Sequence, residues 1–334
     1  MNYIISLSIL CVVVTVSSLL LTRVLIYLMP KFGIVDVPSA RRAHSQPTPR
    51  GGGLAFVIIF STALPLFEYH LAATTVHSVE ILQIFLPISL ISFLDDVSHV
   101  KVPLRLFMHV LCALLAMMWL IHPNMILHHH VPMTVDLAVG TFALLTFLNV
   151  YNFIDGIDGI TVSESIHLSG TILLLCALRY DIIPNVDTVI LIATIIFGWS
   201  FGFIYFNWQP AKIFLGDVGS ISIGFLLGIC LLTIASTSIK LFAACVIAAL
   251  YYIADGGMTI LIRLVKGERI WEPHLQHFFH RSVLKGRSHK RVVKRIMKCN
   301  ILLMLFAVNA LYYPIISIIG AFLVVLVTLI RSVI

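Results

Sequence analysis

Apolar positions fill this chain in runs of spanning length, and the polar positions are confined to short bursts between them. The runs are continuous rather than alternating, which predicts α-helices that cross a membrane and excludes a β-barrel. Eleven spans are expected, at about 3–29, 51–69, 79–97, 104–122, 135–153, 160–179, 186–206, 218–236, 239–264, 296–314 and 315–330. Pro87 places a kink in the third span, and little more than Pro314 divides the last two. The first run is too long for a signal-peptide core and lacks an Ala-x-Ala-like cleavage site, so it counts as a span. The expected fold is all-α: one polytopic integral membrane domain over residues 1–334.

Composition agrees. The 334 residues are 60% hydrophobic and 11% charged, with a mean hydropathy of +1.04. A soluble domain of this size does not need such a composition. The six cysteines are scattered, mostly within apolar runs, without metal-ligand spacing, and read as small packing residues.

Charge sets the orientation. With eleven spans, all but Arg179 and Lys240 of the 22 Lys and Arg fall on the side of the C-terminus. By the positive-inside rule that side is the cytoplasm, with the N-terminus outside. The formal net charge of +7 is therefore a topology signal first. It also suits anionic headgroups or a phosphate-bearing substrate, and no nucleic-acid partner is expected. The polar bursts at about 30–53, 94–105, 149–160, 207–220 and 265–295 all fall on this basic side. The opposite loops are short and bland. Adjacent His128, His129 and His130 lie there and do not converge on one ion without a tight turn.

The densest burst is Asn149-Val-Tyr-Asn-Phe-Ile-Asp-Gly-Ile-Asp-Gly159. Asn149, Asn152 and Asp155 are three apart, so a continuing helix would stack them on one face, with Asp158 beyond. Asp95 and Asp96 close the third span, and Lys101 and Arg105 are near enough to be their partners. Asp217, between Gly216 and Gly219, opens the eighth span at a helix N-terminus that favours anions, and Ser220 follows as a cap or a phosphate donor. His274, His277 and His280 are again three apart, beside Arg281. Their imidazoles suit a phosphate or sugar better than Mg²⁺, which prefers oxygen. His44 and Arg50 lie in a Pro- and Gly-shaped loop that leads into the second span. Asp255 lies toward the cytoplasmic part of the ninth span, where a carboxylate is costly without a polar cavity or an interhelical partner, and it is expected to line the same cavity. Hard carboxylates with Lys, Arg and His on one membrane face point to Mg²⁺ or Mn²⁺ held together with substrate phosphates, and so to phosphoryl transfer, with a lipid phosphate as the expected acceptor. An ion-coupled transporter is the competing class. Carriers, however, place key charges near the midplane and often show repeats, and neither is seen here.

In order along the chain, Asp36-Val-Pro-Ser39, His44, Pro49-Arg-Gly-Gly-Gly53, Phe93-Leu-Asp-Asp-Val97, the 149–159 stretch, Phe214-Leu-Gly-Asp-Val-Gly-Ser220 and the His-rich loop resemble the polyprenyl-phosphate N-acetylhexosamine-1-phosphate transferase superfamily of the MraY/WecA type. The resemblance covers about 33–281 and leaves the last two spans without a motif. It implies a Mg²⁺-dependent reaction between a UDP-N-acetylhexosamine and undecaprenyl phosphate in the bacterial inner membrane, with a homodimer as the candidate assembly. It also implies roles. Asp217 would bind the metal, Asp95 would act as base or positioning residue with Asp96 in support, and Asn152, Asp155 and Asp158 would line the nucleotide and metal pocket. The His-rich loop would contact the donor. That loop, with Phe279 and His280 before Arg281, looks most like the His-x-x-His-x-Tyr-Gln-Arg form of transferases that start O-antigen chains with a 6-deoxy sugar. UDP-N-acetylglucosamine is the rival donor.

Overall fold

The computed structural model describes residues 3–36, 47–71, 77–121, 126–127, 131–269 and 274–334. Arg41, Arg42, His44, His128, His129, His130 and Trp271 lie outside the described residues. The chain is nearly all helix: α1 Tyr3–Leu28, α2 Gly53–Leu71, α3 Ser78–Ser98, α4 Val102–Ala116, α5 Met133–Phe153, α6 Ile160–Leu178, α7 Val186–Asn207, α8 Asp217–Ala235, α9 Ile239–Ala248, α10 Leu250–Val265, α11 Phe278–Leu284, α12 His289–Asn309 and α13 Pro314–Val333. A minimal antiparallel pair joins β1 (Val35–Asp36) to β2 (Thr48–Pro49), with Val35 opposite Pro49.

Among the described residues, nine helices are long and apolar enough to cross a membrane alone. The expected span 239–264 is broken instead into α9 and α10, bent by 68°. No proline or glycine marks the break. His167 of α6 hydrogen-bonds the Ala248 carbonyl there at 3.0 Å, an acceptor that a continuous helix would give to the Tyr252 amide. The tenth expected span starts earlier than the apolar run suggests, at His289, because a basic segment continues the helix outward. Its 21 residues reach about 30 Å at 1.5 Å per residue, a bilayer's hydrocarbon thickness.

Hydrogen bonds fix which ends lie together. Tyr3 of α1 donates to Asp187, at the start of α7, at 2.7 Å. The Arg179 guanidinium lies over the Tyr312 ring, so the α12–α13 turn belongs to that same end. At the other end, Arg287 and Arg295 each donate to the Arg331 carbonyl at 2.8 Å, and Lys285 reaches the Val333 carbonyl. Cations at the carbonyl end of α13 suit its dipole. The N- and C-termini therefore lie at opposite ends of the bundle, as the span count predicts.

α8 is the central post, buried along nearly its whole length. Around it pack α2, α3, α5, α6, α7 and α9, with α1 laid along α7. Gly198 and Gly202 let α7 approach α1 closely, while Thr15 and Ser18 donate to the Gly198 and Trp199 carbonyls. Five of the six cysteines are buried and all are free, consistent with packing roles.

Candidate active site

Two glycine-rich segments build the site. Pro49 accepts from the Phe214 amide at 2.8 Å, while Gly52 and Gly53 donate to the Phe214 and Leu215 carbonyls at 2.9 and 2.8 Å. This ladder lays the start of α2 against the start of α8. A Cβ on Gly53 would fall 2.1 Å from the Gly219 Cα, so the two backbones are in direct contact. Arg50, just before the glycines, is thereby aimed at Asp217. Its Nη2 lies 2.7 Å from Asp217 Oδ1 and 2.8 Å from Asp96 Oδ1.

Asp96 does not present a free carboxylate. It is buried and accepts from the Asp217 and Val218 amides, both at 2.9 Å, so it caps α8 from α3. Gly216 permits this at φ +77°, ψ 168°. Of the two expected partners, only Arg105 joins the acidic pair: it bonds Asp95, while Asp96 takes Arg50. Arg105 also reaches Asp217 at 3.6 Å. Asp95 is held on its other side by the Val100 amide at 2.8 Å. Lys101 is exposed, one turn before Arg105, and forms no ion pair among the described residues.

The stacked face expected over 149–155 is cut short. α5 stops at Phe153, so Asp155 stands in the turn beyond it, its amide bonded to the Asn152 carbonyl. Asn152 Oδ1, the atom a metal would take, instead accepts from Ser220 at 2.5 Å, so Ser220 neither caps α8 nor is free for phosphate. Asn149 donates to the Leu145 carbonyl of its own helix. Asp158 serves as a clasp: Oδ2 accepts from the Ala211 amide at 3.1 Å, and Oδ1 lies 3.4 Å from His289 Nδ1. Asn207 closes the same junction, accepting from the Gly159 amide and donating to the Ile213 carbonyl, both at 3.0 Å. Asn207 and His289 fall inside the bursts at 207–220 and 265–295, but no spacing or motif within those bursts singles out either.

The three histidines do not share a helix face, because α11 begins only at Phe278. His277 precedes it, and its ring stacks on His274 at 4.9 Å. Asp255 is the anchor. It is fully buried, and it accepts from the Phe278 and Phe279 amides at 3.0 and 3.4 Å and lies 3.1 Å from His277 Nδ1. It therefore holds the start of α11 and does not line the cavity. His280 lies against the Asp155–Gly156 turn, where a Cβ on Gly156 would come within 2.6 Å of Nε2. Burial, then the neighbouring His277, His274 and His289, hold His280 down at about 3. Burial and then His277 and Arg263 bring His274 to about 4. Both are neutral at physiological pH and offer hydrogen bonds rather than charge. Arg281 is turned onto its own loop, donating to the Gln276 carbonyl at 2.8 Å.

Four carboxylates (Asp95, Asp96, Asp155, Asp217) thus meet two guanidinium groups (Arg50, Arg105), leaving two formal negative charges unmatched. Burial, then the like charge of Asp217, pushes Asp155 up to about 7, with Asp96 adding to it against the pull of Arg50 and Thr161. Arg50 keeps its proton because those carboxylates outweigh its burial. No closed cage of three or more His, Cys, Asp or Glu exists among the described residues. That donor set does fit Mg²⁺, which takes one or two carboxylates and completes its shell with phosphates and water. Asp217 and Asp155 are the residues that would hold it.

Carboxylates and guanidinium groups are gathered at one mouth of an apolar helical bundle, an arrangement suited to a metal-bound anion. Comparison with known proteins gives the following likenesses. The profile of glycosyl transferase family 4 matches residues 78–235. The chain is 26% identical over 296 residues to the probable undecaprenyl-phosphate N-acetylglucosaminyl 1-phosphate transferase of Bacillus subtilis, covering 84% of this chain and 78% of that one. It is 25% identical over 305 residues to the phospho-N-acetylmuramoyl-pentapeptide-transferase of Borrelia hermsii (83% and 85%), and 32% identical over 182 residues to that of Borrelia duttonii (52% and 50%). The chain is thus similar, over a continuous stretch of nearly half its length and more loosely over most of it, to phospho-sugar transferases of this family.

Proposed function

We propose that the chain transfers an N-acetylhexosamine-1-phosphate from a UDP-sugar to undecaprenyl phosphate, giving the undecaprenyl-diphosphate sugar and UMP, at the cytoplasmic face of a bacterial inner membrane. The observation that carries this reading is Asp217, set at the start of α8 between Arg50 and Arg105 with Asp95 and Asp155 alongside. The basic flank of that end supports the cytoplasmic assignment.

In this reading, Lys101 and Arg105 receive the acceptor phosphate. An acceptor phosphate oxygen attacks the sugar-bearing phosphorus of the donor, and the bridging oxygen leaves with UMP. That nucleophile is already largely ionised near neutrality, so Asp95, fixed by Val100 and Arg105, has to position it rather than deprotonate it. Mg²⁺, when bound, offsets charge on the donor diphosphate and the departing phosphate. Asp217 and Asp155 would supply its carboxylates, and Asp96 fixes Asp217 by capping its helix. Neutral His274 and His280 orient the donor by hydrogen bonds. The His-loop pattern favours a 6-deoxy-N-acetylhexosamine and an O-antigen product; the Bacillus relative's name favours N-acetylglucosamine.

The test offers purified protein, undecaprenyl phosphate and Mg²⁺ to a panel of UDP-N-acetylhexosamines, reading UMP and lipid-linked product together. Both products are expected, with the best donor naming the sugar, and Asp217→Asn should abolish them without loss of membrane insertion. Well-folded protein that makes no product with any donor defeats the proposal.

A further inference from the structure

Glu164 of α6 plays no part in the acidic site, yet it is fully buried. No Lys, Arg or His among the described residues lies within ion-pair distance of it. Its Oε2 accepts from Asn300 Nδ2 of α12 at 2.6 Å. Its Oε1 has no hydrogen-bond partner among the described residues, and neither have Asn300 Oδ1, the Thr161 hydroxyl and the Tyr252 hydroxyl. All four side chains are at most 2% exposed, so bulk water does not serve them.

These oxygens belong together. Thr161 stands one turn before Glu164 on α6. The amide of Asn300 carries oxygen and nitrogen on one carbon, so Oδ1 lies beside the carboxylate that Nδ2 contacts. Tyr252 of α10 packs on Tyr151, ring centroids 5.3 Å apart, and Tyr151 reaches the Thr161 carbonyl at 3.3 Å and the Ser165 hydroxyl at 2.7 Å. Glu164 and Thr161 are both neighbours of the Tyr252 hydroxyl. A buried carboxylate needs its charge offset. A proton on Glu164 could be shared with Asn300 Oδ1, but that leaves both hydroxyls unpaired. One cation takes a lone pair from all four oxygens. The donor set also selects its class: oxygen alone suits a hard ion, and a single carboxylate balances a single charge. Mg²⁺ dehydrates reluctantly and keeps waters and phosphates around it, which fits the open acidic site rather than this interior.

We infer that Glu164, Asn300, Thr161 and Tyr252 form a binding site for one alkali cation, Na⁺, which ties α6, α10 and α12 together. α10 begins at the break after α9, so the tie secures the half of the broken span that α9 does not continue. The test is thermal unfolding in a non-ionic detergent, with Mg²⁺ in excess and choline chloride replacing NaCl at constant ionic strength. A ligand that binds only the folded state stabilises it as its concentration rises. The midpoint should therefore climb by about 2–4 °C for each tenfold rise in Na⁺ above half-saturation. Glu164→Gln keeps the shape without the charge, and its midpoint should not respond to Na⁺. Tyr252→Phe removes one oxygen and should raise the half-saturating Na⁺ about tenfold. Equilibrium dialysis with ²²Na⁺ reads binding without unfolding, and the wild type should hold one more ion per chain than Glu164→Gln. A midpoint equal in Na⁺ and choline assigns the cluster to a proton and water and overturns the site. An unaltered Na⁺ response in both variants, or equal ²²Na⁺ uptake by wild type and Glu164→Gln, overturns it as well.

Discussion

Replacing Gly216 by alanine should do far more harm than one methyl group suggests. The residue sits at φ +77° and ψ 168°, a region essentially reserved for glycine, so a side chain there costs about 1–3 kcal/mol in backbone strain. The new Cβ would also stand 2.6 Å from Asp96 Oδ2 and 3.1 Å from the Gly51 amide nitrogen. Asp96 must then withdraw from the Asp217 and Val218 amides. A hydrogen bond to a charged group contributes about 1.5–3 kcal/mol, so losing one of them on top of the strain brings the total to roughly 2.5–6 kcal/mol. Function should suffer as well. Asp217 is the residue after the strained one, and a displacement of about 1 Å at a reacting centre can cost on the order of a hundredfold in rate. The assay is unfolding by SDS titration in detergent, paired with UMP release. Asparagine should not rescue position 216, since it tolerates the left-handed helical region but not this one. At Gly33, with φ +73°, ψ 10° and open space around it, asparagine should be tolerated. Gly216→Ala protein with a wild-type unfolding midpoint and turnover would refute the reasoning.

Three further outcomes are expected. Asp155 titrates near 7 because burial and like charges favour its protonated form, so it is neutral below that pH and becomes a usable ligand as pH rises. At limiting Mg²⁺, kcat/KM should climb about tenfold per pH unit up to near 7. Asp155→Asn should flatten that limb and His280→Gln should not, as a pH profile of each variant would reveal. Chelation should stop UMP release and added Mg²⁺ should restore it, so chelator-insensitive turnover would count against the metal. Asp255→Ala should strand two buried amides and His277, destabilising the protein by about 3–5 kcal/mol and opening the 265–285 region to protease. Unchanged digestion would contradict the anchor role.

Much of this was legible in the sequence because membrane helices announce themselves by length and apolarity. Ten of the eleven expected spans appear as continuous helices, and the placement of the termini at opposite ends follows from the odd span count. The exception, at Ala249, was invisible because a side chain on another helix marks it rather than a local proline or glycine. At the site, the bursts placed Asp95, Asp96, Asp155, Asp158 and Asp217 on one membrane face with several Lys, Arg and His. The structure gathers Asp95, Asp96, Asp155 and Asp217 around Arg50 and Arg105, while Asp158 lies at a loop junction. The division of labour among them was not readable. Adjacent Asp95 and Asp96 look alike in sequence, yet one faces Arg105 and the other caps α8, because successive helical positions point about 100° apart. Asp255 and Asp158 carry the same polarity as reactive residues and are used to fasten loops. Spacing shows which groups lie on one side of the membrane, whereas partners depend on helices far apart in the chain.

The backbone contact between Gly53 and Gly219 has a consequence for how such a protein diversifies. The interval between the two halves of the site is a main-chain distance, with no side chain serving as a spacer. In the proposed reaction, a pocket altered for a different sugar would keep that interval. Side chains of the 274–281 segment could change while Asp217 stays on a fixed datum.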